Sequence, residues 1–503
     1  MEENMAKTNL NLGDFFLKQS FAFASSNLVS NSALPLIDRI AKKRLVDNGD
    51  PIEIGPTRVR EDKACIAANV VLAALKAYRN GSPDVKNIMK NLFIKQFVSN
   101  SNNSEKIESF YQKHGVRPPG FIVLSPEGRC NLQCKDCYAT SVPVGLPHLT
   151  AETVDRILRE KYEQWGSWFT VISGGEPFMW KDNDIDLIEM ARRHPEQYFM
   201  VYTNSTFINE KTAQRLAEVG NITPAISVEG FEKETDERRG KGVHKRILKA
   251  FENLRNAGVP FGISATGNPS NCEIIVSDEF IKYYFDEQGA IYEWIFQYMP
   301  IGRGVEVSKQ ISPQARKKLW EREQVLIHKN RLFLADFWNC GTFSSGCISG
   351  GRPGGYLYID WNGNVYPCAF VPYWKENINE LYAQGKTISD ALFSDLLEGV
   401  RNWQKSYNYM LPPDKRGNEI RPCFIRDHHD AAHKIILETN AKPGYPSAEI
   451  ALHDQEYYEQ MIKYDQELAE LFDPIWENIY REKPNTDNEN HKVEIQPEEE
   501  KIY

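Results

Sequence analysis

Between residue 121 and about residue 330, short apolar runs alternate with amphipathic stretches six times. The apolar runs are FIVLSP (121–126), WFTVISGG (168–175), YFMVYTN (198–204), ITPAISVEG (222–230), PFGISAT (260–266) and YEWIFQYMP (292–300). Their length, their β-branched and aromatic content and the flanking turn residues predict strands. Between them AETVDRILREKYEQW, DIDLIEMARRH, NEKTAQRLAEVG, VHKRILKAFENLRNAG and DEFIKYYFDEQG space their apolar residues as helices do, and SPQARKKLWEREQVLIHKN closes the series. Strands joined by single helices form right-handed parallel crossovers. Six units are two short of a closed (β/α)8 barrel. The expected fold class is therefore α/β, a partial, open (β/α)6 TIM-type barrel over residues 116–332. Its chemistry should sit at the C-terminal ends of the strands.

The flanks follow other patterns. Residues 1–115 read as a helical N-terminal region, in which ACIAANVVLAALKAY (64–78) predicts a buried helix. The earlier segment FFLKQSFAFASSNLVSNSALPLIDRIAKKRL (15–45) joins aromatic and aliphatic residues to a basic end. Such a segment suits either a membrane surface or packing on its own domain. SNSNNSEK (99–106) reads as a linker. From 333 to 482 a small Cys-rich α+β domain is expected. In it YLYIDWNGNVYPC predicts a hairpin turning at Asn362-Gly363, followed by mainly helical sequence over 375–480. Residues 483–503 form an acidic, polar tail that is expected to be disordered.

Composition narrows the classes. The 503 residues are 41% hydrophobic and 26% charged, an ordinary globular balance with room for two or three domains. A formal charge of -9 argues against nucleic-acid binding through a basic surface. No apolar stretch reaches the roughly 18–20 residues of a spanning helix. The start, MEENMAKTNLNLGDFF, lacks the pattern of a secretory signal. A cytoplasmic location is expected, peripheral to the membrane if the 15–45 segment docks there.

The nine cysteines carry the chemistry. An odd number without an export signal makes a poor disulfide framework, and their clustering suggests metal ligation. Immediately after the first strand, RCNLQCKDCY places Cys130, Cys134 and Cys137 on one loop. Three thiolates can hold three corners of a cubane iron–sulfur cluster and leave the fourth iron open. A structural zinc would need a fourth Cys or His nearby, with ligands arriving in pairs. The nearest candidate is His148.

This spacing, with the aromatic Tyr138 behind it at the first strand of a six-unit barrel, resembles the radical S-adenosylmethionine (SAM) superfamily. The resemblance spans about 121–330 and part of the next hundred residues. It implies an enzyme in which a [4Fe–4S] cluster on Cys130, Cys134 and Cys137 binds SAM and cleaves it reductively. The resulting 5′-deoxyadenosyl radical takes a hydrogen atom from a substrate, with an electron donor such as flavodoxin or ferredoxin. Gly174-Gly175-Glu176-Pro177, ending the second strand, is similar to the family's GGEP motif, which receives the SAM amino group. Glycines let the backbone approach closely, and a carboxylate accepts from an ammonium. By position, Thr203 and Asn204 suit the ribose, and Ser227, Glu229 and Arg238 the ribose and SAM carboxylate. Thr266, Met299 and Tyr138 complete the implied site around the adenine.

Cys347-x15-Gly363-x4-Cys368 is similar to the SPASM and twitch extensions of that superfamily, which bind auxiliary clusters. The dense downstream array of a full SPASM domain is missing. One auxiliary [4Fe–4S] cluster is expected, on Cys340, Cys347, Cys368 and Cys423, and a zinc knuckle on the same ligands is the alternative. His428, His429 and His433 read as supporting or surface groups, and Cys65 as a core residue. Cys272, just past strand five, is a candidate hydrogen-atom donor or a packing cysteine. The substrate is not named by these residues. A lipid or other membrane-associated molecule is one reading, a ribosomally made peptide another, and a small molecule remains open. Related peptide enzymes carry a β-rich clamp ahead of the barrel, and no β-rich stretch precedes residue 120. Outside the enzyme class stands a non-catalytic zinc or iron–sulfur scaffold.

Overall fold

The computed structural model describes residues 34–93 and 101–481. Residues 15–33 of the aromatic segment and the acidic tail lie outside them. The six expected strands form, as β1 (Phe121–Glu127), β2 (Phe169–Gly174), β3 (Tyr198–Thr203), β4 (Ile222–Val228), β5 (Gly262–Gly267) and β6 (Glu293–Gln297). Two more parallel strands extend the row. β7 (Leu334–Asp336) pairs with β6, and β8 (Tyr356–Ile359) pairs with β1. Antiparallel β9 (Asn364–Tyr366) and β10 (Glu376–Asn377) finish the ten-stranded sheet, in the order β10-β9-β8-β1-β2-β3-β4-β5-β6-β7. The sheet curls but does not close, as the missing units required. Gly363, at φ +85°, makes the hairpin turn between β8 and β9 where the Asn-Gly pair placed it.

Both faces of the parallel strands are covered, so they read as nearly continuous apolar runs. Period-two alternation then sorts the side chains. Ile122, Leu124, Ile172, Val201, Ile226 and Ile295 face outward into a core shared with the helices. Val123, Val171, Met200 and Tyr356 face the barrel interior. The helices start and stop on local chemistry. Thr150 caps Ala151–Trp165 by accepting from the Thr153 amide at 3.1 Å, and Gly166 ends that helix in the left-handed region.

The N-terminal helices seal the base of the barrel. On Thr57–Asn80, Asn69 donates to the Ile327 and Leu332 carbonyls at 2.9 and 2.8 Å. Lys76 on the same helix reaches the Phe285 carbonyl at 3.0 Å. Ile327 and Phe285 close the helical segments, and Leu332 lies in the loop, that lead into β7 and β6. Leu34–Lys42, the described end of the aromatic, basic-ended segment, buries Ile37 and Ala41 against its own domain.

One expectation is corrected. Residues 101–106 of the supposed linker are the first turns of the helix Ser101–His114. Ser and Asn favour helix N-termini as much as loops, and the downstream Ile107 and Phe110 supply a buried face. Lys106 sits 3.8 Å over the Tyr162 ring and donates to the Tyr162 carbonyl, fixing this helix on Ala151–Trp165.

The C-terminal segment is tied to the barrel by a buried ion pair. Arg316, on the helix Pro313–His328, donates to the two Asp427 oxygens at 2.6 and 3.0 Å and to Asn339 at 2.9 Å. Burial acts to raise the Asp427 carboxyl, but Arg316 and Arg426 beside it hold it below the ordinary carboxylate range. Arg316→Met leaves Asp427 with Arg426 as its remaining cation. The expected cost is about 3 kcal/mol, the low end for breaking a buried pair, read as a lower denaturation midpoint.

Candidate active site and cysteine loops

The loop after β1 is shaped by its own first residues. Glu127, fully buried, accepts from the Arg129 amide and Nε at 2.9 Å and from Nη2 at 2.8 Å. Trp361, in the β8–β9 turn, lies where a Cβ on Gly128 would stand. The glycines after β2 then press onto this loop. Gly175 and Glu176 donate through their amides to the Glu127 and Arg129 carbonyls at 2.8 and 2.9 Å. A Cβ on Gly175 would fall 2.0 Å from the Arg129 carbonyl oxygen. From the far side Arg303 donates to the Cys134 and Ser141 carbonyls, and its amide to the Cys137 carbonyl at 3.0 Å.

These loops frame a cavity of about 220 Å³ inside the barrel. Cys130, Cys134 and Cys137 line its mouth together with Tyr138, Gly174, Gly175, Thr203, Asn204, Ser227, Arg238, Thr266 and Met299. Nine of the twelve residues expected to hold SAM thus share one cavity with the three cysteines. Leu132 N–H and Asn204 Nδ2 donate to the Cys130 sulfur at 3.4 and 3.6 Å, so Asn204 serves the cysteine rather than standing free. Tyr138 pairs with Ser173 at 2.6 Å. Burial pushes the Cys130 thiol up to about 12, so ionisation there requires a metal to displace the proton.

Three expected residues stand behind the wall. Glu176, fully buried, accepts from the Thr203 hydroxyl at 2.7 Å and the Asn204 amide at 2.8 Å. The carboxylate thus fastens the end of β3 instead of facing an ammonium, and Pro177 follows it out of the cavity. Burial outweighs these bonds and raises the Glu176 carboxyl to about 7. Glu229, 1% exposed, accepts from both Arg238 and Arg239. Arg239 was not singled out from the sequence, although the Arg238-Arg239 pair was visible. It lines the cavity within electrostatic reach of the Cys134 and Cys130 sulfurs. Cys272 is packed in the outer core away from the cavity, so it sits as a packing cysteine and not as a hydrogen-atom donor. The sequence reading also passed over the floor, where Phe121, Phe169, Met200, Tyr202, Trp294 and Phe296 point inward from β1, β2, β3 and β6.

The second cysteine group divides. Cys347, Cys368 and Cys423 join the inner core, and their thiols influence one another electrostatically. Cys340 belongs to the outer core, where its sulfur accepts from the Asp336 amide at 3.3 Å. Burial, then Glu323 and Asp336 beside it, raise that thiol well above its ordinary range. Cys340 thus meets acidic neighbours that the other three do not, while the next residue, Gly341, packs against Pro422 beside Cys423. His428 and His429 are pushed down to about 3 and about 4 by burial and contact backbone carbonyls. Among the described residues no three Cys, His, Asp or Glu side chains converge on one point as a single ion requires. Thiolates bound to separate corners of a cubane have no need to converge.

Residues 124–273 match the family model described as the Radical SAM superfamily. This segment is a radical SAM domain. It is 28% identical over 294 residues to the AdoMet-dependent heme synthase of Methanosarcina barkeri, covering 52% of this chain and 80% of that one. The mycofactocin maturase MftC of Mycolicibacterium smegmatis is 27% identical over 350 residues, 68% of this chain and 83% of MftC. A crystal structure of Streptococcus suis SuiB bound to its precursor peptide SuiA shares the fold, at TM-score 0.51 and 18% identity over 73% of this chain and 90% of SuiB. The protein is accordingly an enzyme of SAM and [4Fe–4S] chemistry. The residues fit these groups: three thiols at one cavity mouth, a glycine backbone with no room for a side chain, and a buried arginine near the sulfurs.

Gly175→Ala should push the second loop off the first and lower the iron retained after reconstitution, measured by colorimetric iron assay. A pH effect also follows from Glu176. Its folded pKa lies above its unfolded value, so its stabilising share is complete below about pH 4.5 and is lost as pH rises through about 7. The thermal midpoint of Glu176→Gln should therefore gain on that of the parent between pH 5 and pH 8.

Proposed function

We propose that the chain removes a hydrogen atom from an apolar group of its substrate, held on the aromatic floor of the barrel beneath the SAM site. The carrying observation is the division of the cavity: thiols and polar strand ends at the mouth, aromatic and aliphatic side chains below. When bound, the reduced cluster and SAM supply the 5′-deoxyadenosyl radical. Cys130, Cys134 and Cys137 hold that cluster, and Gly174 and Gly175 offer their backbone to SAM. Ser227, Thr266 and the Arg238 guanidinium face the same space from β4, β5 and the helix after β4. Glu229 positions both arginines, and Glu176 positions Thr203 and Asn204. The apolar walls exclude water from a reactive centre. The electron is expected from a small carrier such as flavodoxin or ferredoxin. Cys347, Cys368 and Cys423 would hold the auxiliary cluster, with Cys340 as the fourth ligand.

The favoured substrate is a peptide presenting an apolar side chain. MftC and the Bacillus subtilis sporulation killing factor maturation protein SkfB, 26% identical over 269 residues, are maturases by name. The lipid reading loses support in the described part of its segment, which packs on the protein itself. No helix among the described residues is long and apolar enough to cross a membrane.

Anaerobic reconstitution should yield about eight irons per chain, for two four-iron clusters, and slow release of 5′-deoxyadenosine with a strong reductant. Replacing Cys130, Cys134 and Cys137 together by Ala should abolish that release and leave about four irons; continued cleavage of SAM would sink the assignment. Narrowing the floor with Met200→Trp should spare the slow background cleavage and remove any stimulation by substrate. A short precursor reading frame beside the gene would supply the peptide for that assay. Co-sedimentation with liposomes that depends on residues 1–50 would return the lipid reading to first place.

A further inference from the structure

Resting on the auxiliary-cluster reading above, we propose that Tyr356 is the residue that positions and tunes that cluster from inside the catalytic cavity. Tyr356 opens β8, the strand that joins the hairpin to the barrel sheet. Its ring lines the cavity that holds Cys130, Cys134 and Cys137 at its mouth, and it stacks on Phe121 at 5.2 Å and 15°. Its hydroxyl reaches the other way and meets the Cys368 sulfur at 2.9 Å. One 2%-exposed side chain thus spans from cavity wall to auxiliary ligand.

The direction of that hydrogen bond follows from the chemistry. A sulfur bound to iron carries no proton, so the hydroxyl must donate. The Ala369 amide stands on the other side of the same oxygen and can only donate to it, which turns the phenolic proton toward the sulfur. Phe370 N–H donates to Cys368 as well, at 3.4 Å. Donors to a cluster sulfur withdraw charge and stabilise the reduced, more negative state, raising the reduction potential. The phenol is the shorter of the two contacts. Because its ring is fixed by Phe121 and by Phe337 at 6.4 Å, it is also the donor that cavity occupancy can disturb.

The test uses the full chain with Cys130, Cys134 and Cys137 replaced by Ala, so that only the auxiliary cluster gives a signal. Its midpoint is measured by anaerobic redox titration followed by electron paramagnetic resonance. Adding Tyr356→Phe keeps the ring and should shift the midpoint to a more negative potential with iron content unchanged. Tyr366→Phe, in the same hairpin but bonded to Asp360, should leave the midpoint where it was. An unshifted midpoint in Tyr356→Phe at full iron overturns the proposal. Should that variant lose its cluster, 3-fluorotyrosine at 356, a stronger donor, must raise the midpoint, and no shift overturns the proposal equally. Absence of any cluster signal in the parent triple variant fails the auxiliary-cluster reading instead.

Discussion

Alternation along eight parallel strands is the constraint on which the molecule depends. Each strand must bury two faces at once, and a shift of one residue would exchange them. In β1, Ile122 and Leu124 belong to the helices while Phe121 and Val123 belong to the cavity. In β6 the same rule sends Trp294 and Phe296 inward and Glu293 and Ile295 outward. The loop chemistry inherits part of this order, because the polar ends of β4 and β5 continue inward-facing rows. Ser227 and Thr266 reach the cavity by register, whereas Thr203, at the parity of outward Val201, reaches it where β3 ends.

Register was legible in the sequence because it is written locally, and so were the six strands, their helices and the Asn-Gly hairpin. The cysteine loop and the glycines after β2 were legible for a related reason. Three thiols in eight residues and a side-chain-free dipeptide leave few alternatives, and Gly175 packs with no space for a Cβ. What a side chain does once it arrives was less legible. Glu176 and Glu229 were read as facing a ligand because carboxylates suit an ammonium or a ribose. Both instead meet donors supplied by neighbouring strands and helices, Thr203 and Asn204 for one and two arginines for the other. Those partners lie 27 residues away for Thr203 and 9 for Arg238, separations at which spacing carries no pairing information.

Cysteine counting likewise says nothing of each thiol's surroundings. Cys340 is near Cys347 in sequence, and four thiols complete a cubane, so it was taken as a ligand. The short helix Gly341–Ser344 follows it, and the thiol accepts from the Asp336 amide. Nothing in NCGTFSSGC announces which side of a sheet each sulfur will face. The linker misreading at 101–106 is a milder case, since Ser and Asn serve both loops and helix starts and only the buried Phe110 decides.

The hairpin settles how the two cysteine groups are related. Had β8 stood in a separate domain, the second group would be held by a linker and free to vary in position. Instead Phe121 pairs with Tyr356 and Leu124 with Ile359 in one parallel ladder, and the loop carrying Cys130 leaves the same strand, β1. The seam where β7 and β8 fail to pair is filled by Phe337, Trp338, Phe370 and Tyr356, with Trp338 and Phe370 only 4.9 Å apart. Aromatic packing therefore replaces the hydrogen bonds that a closed barrel would have there. Phe337, Phe370 and Tyr356 also form one side of the cavity, with Cys368 just behind Tyr356, so closing the barrel and seating the second cysteine group are one structural act.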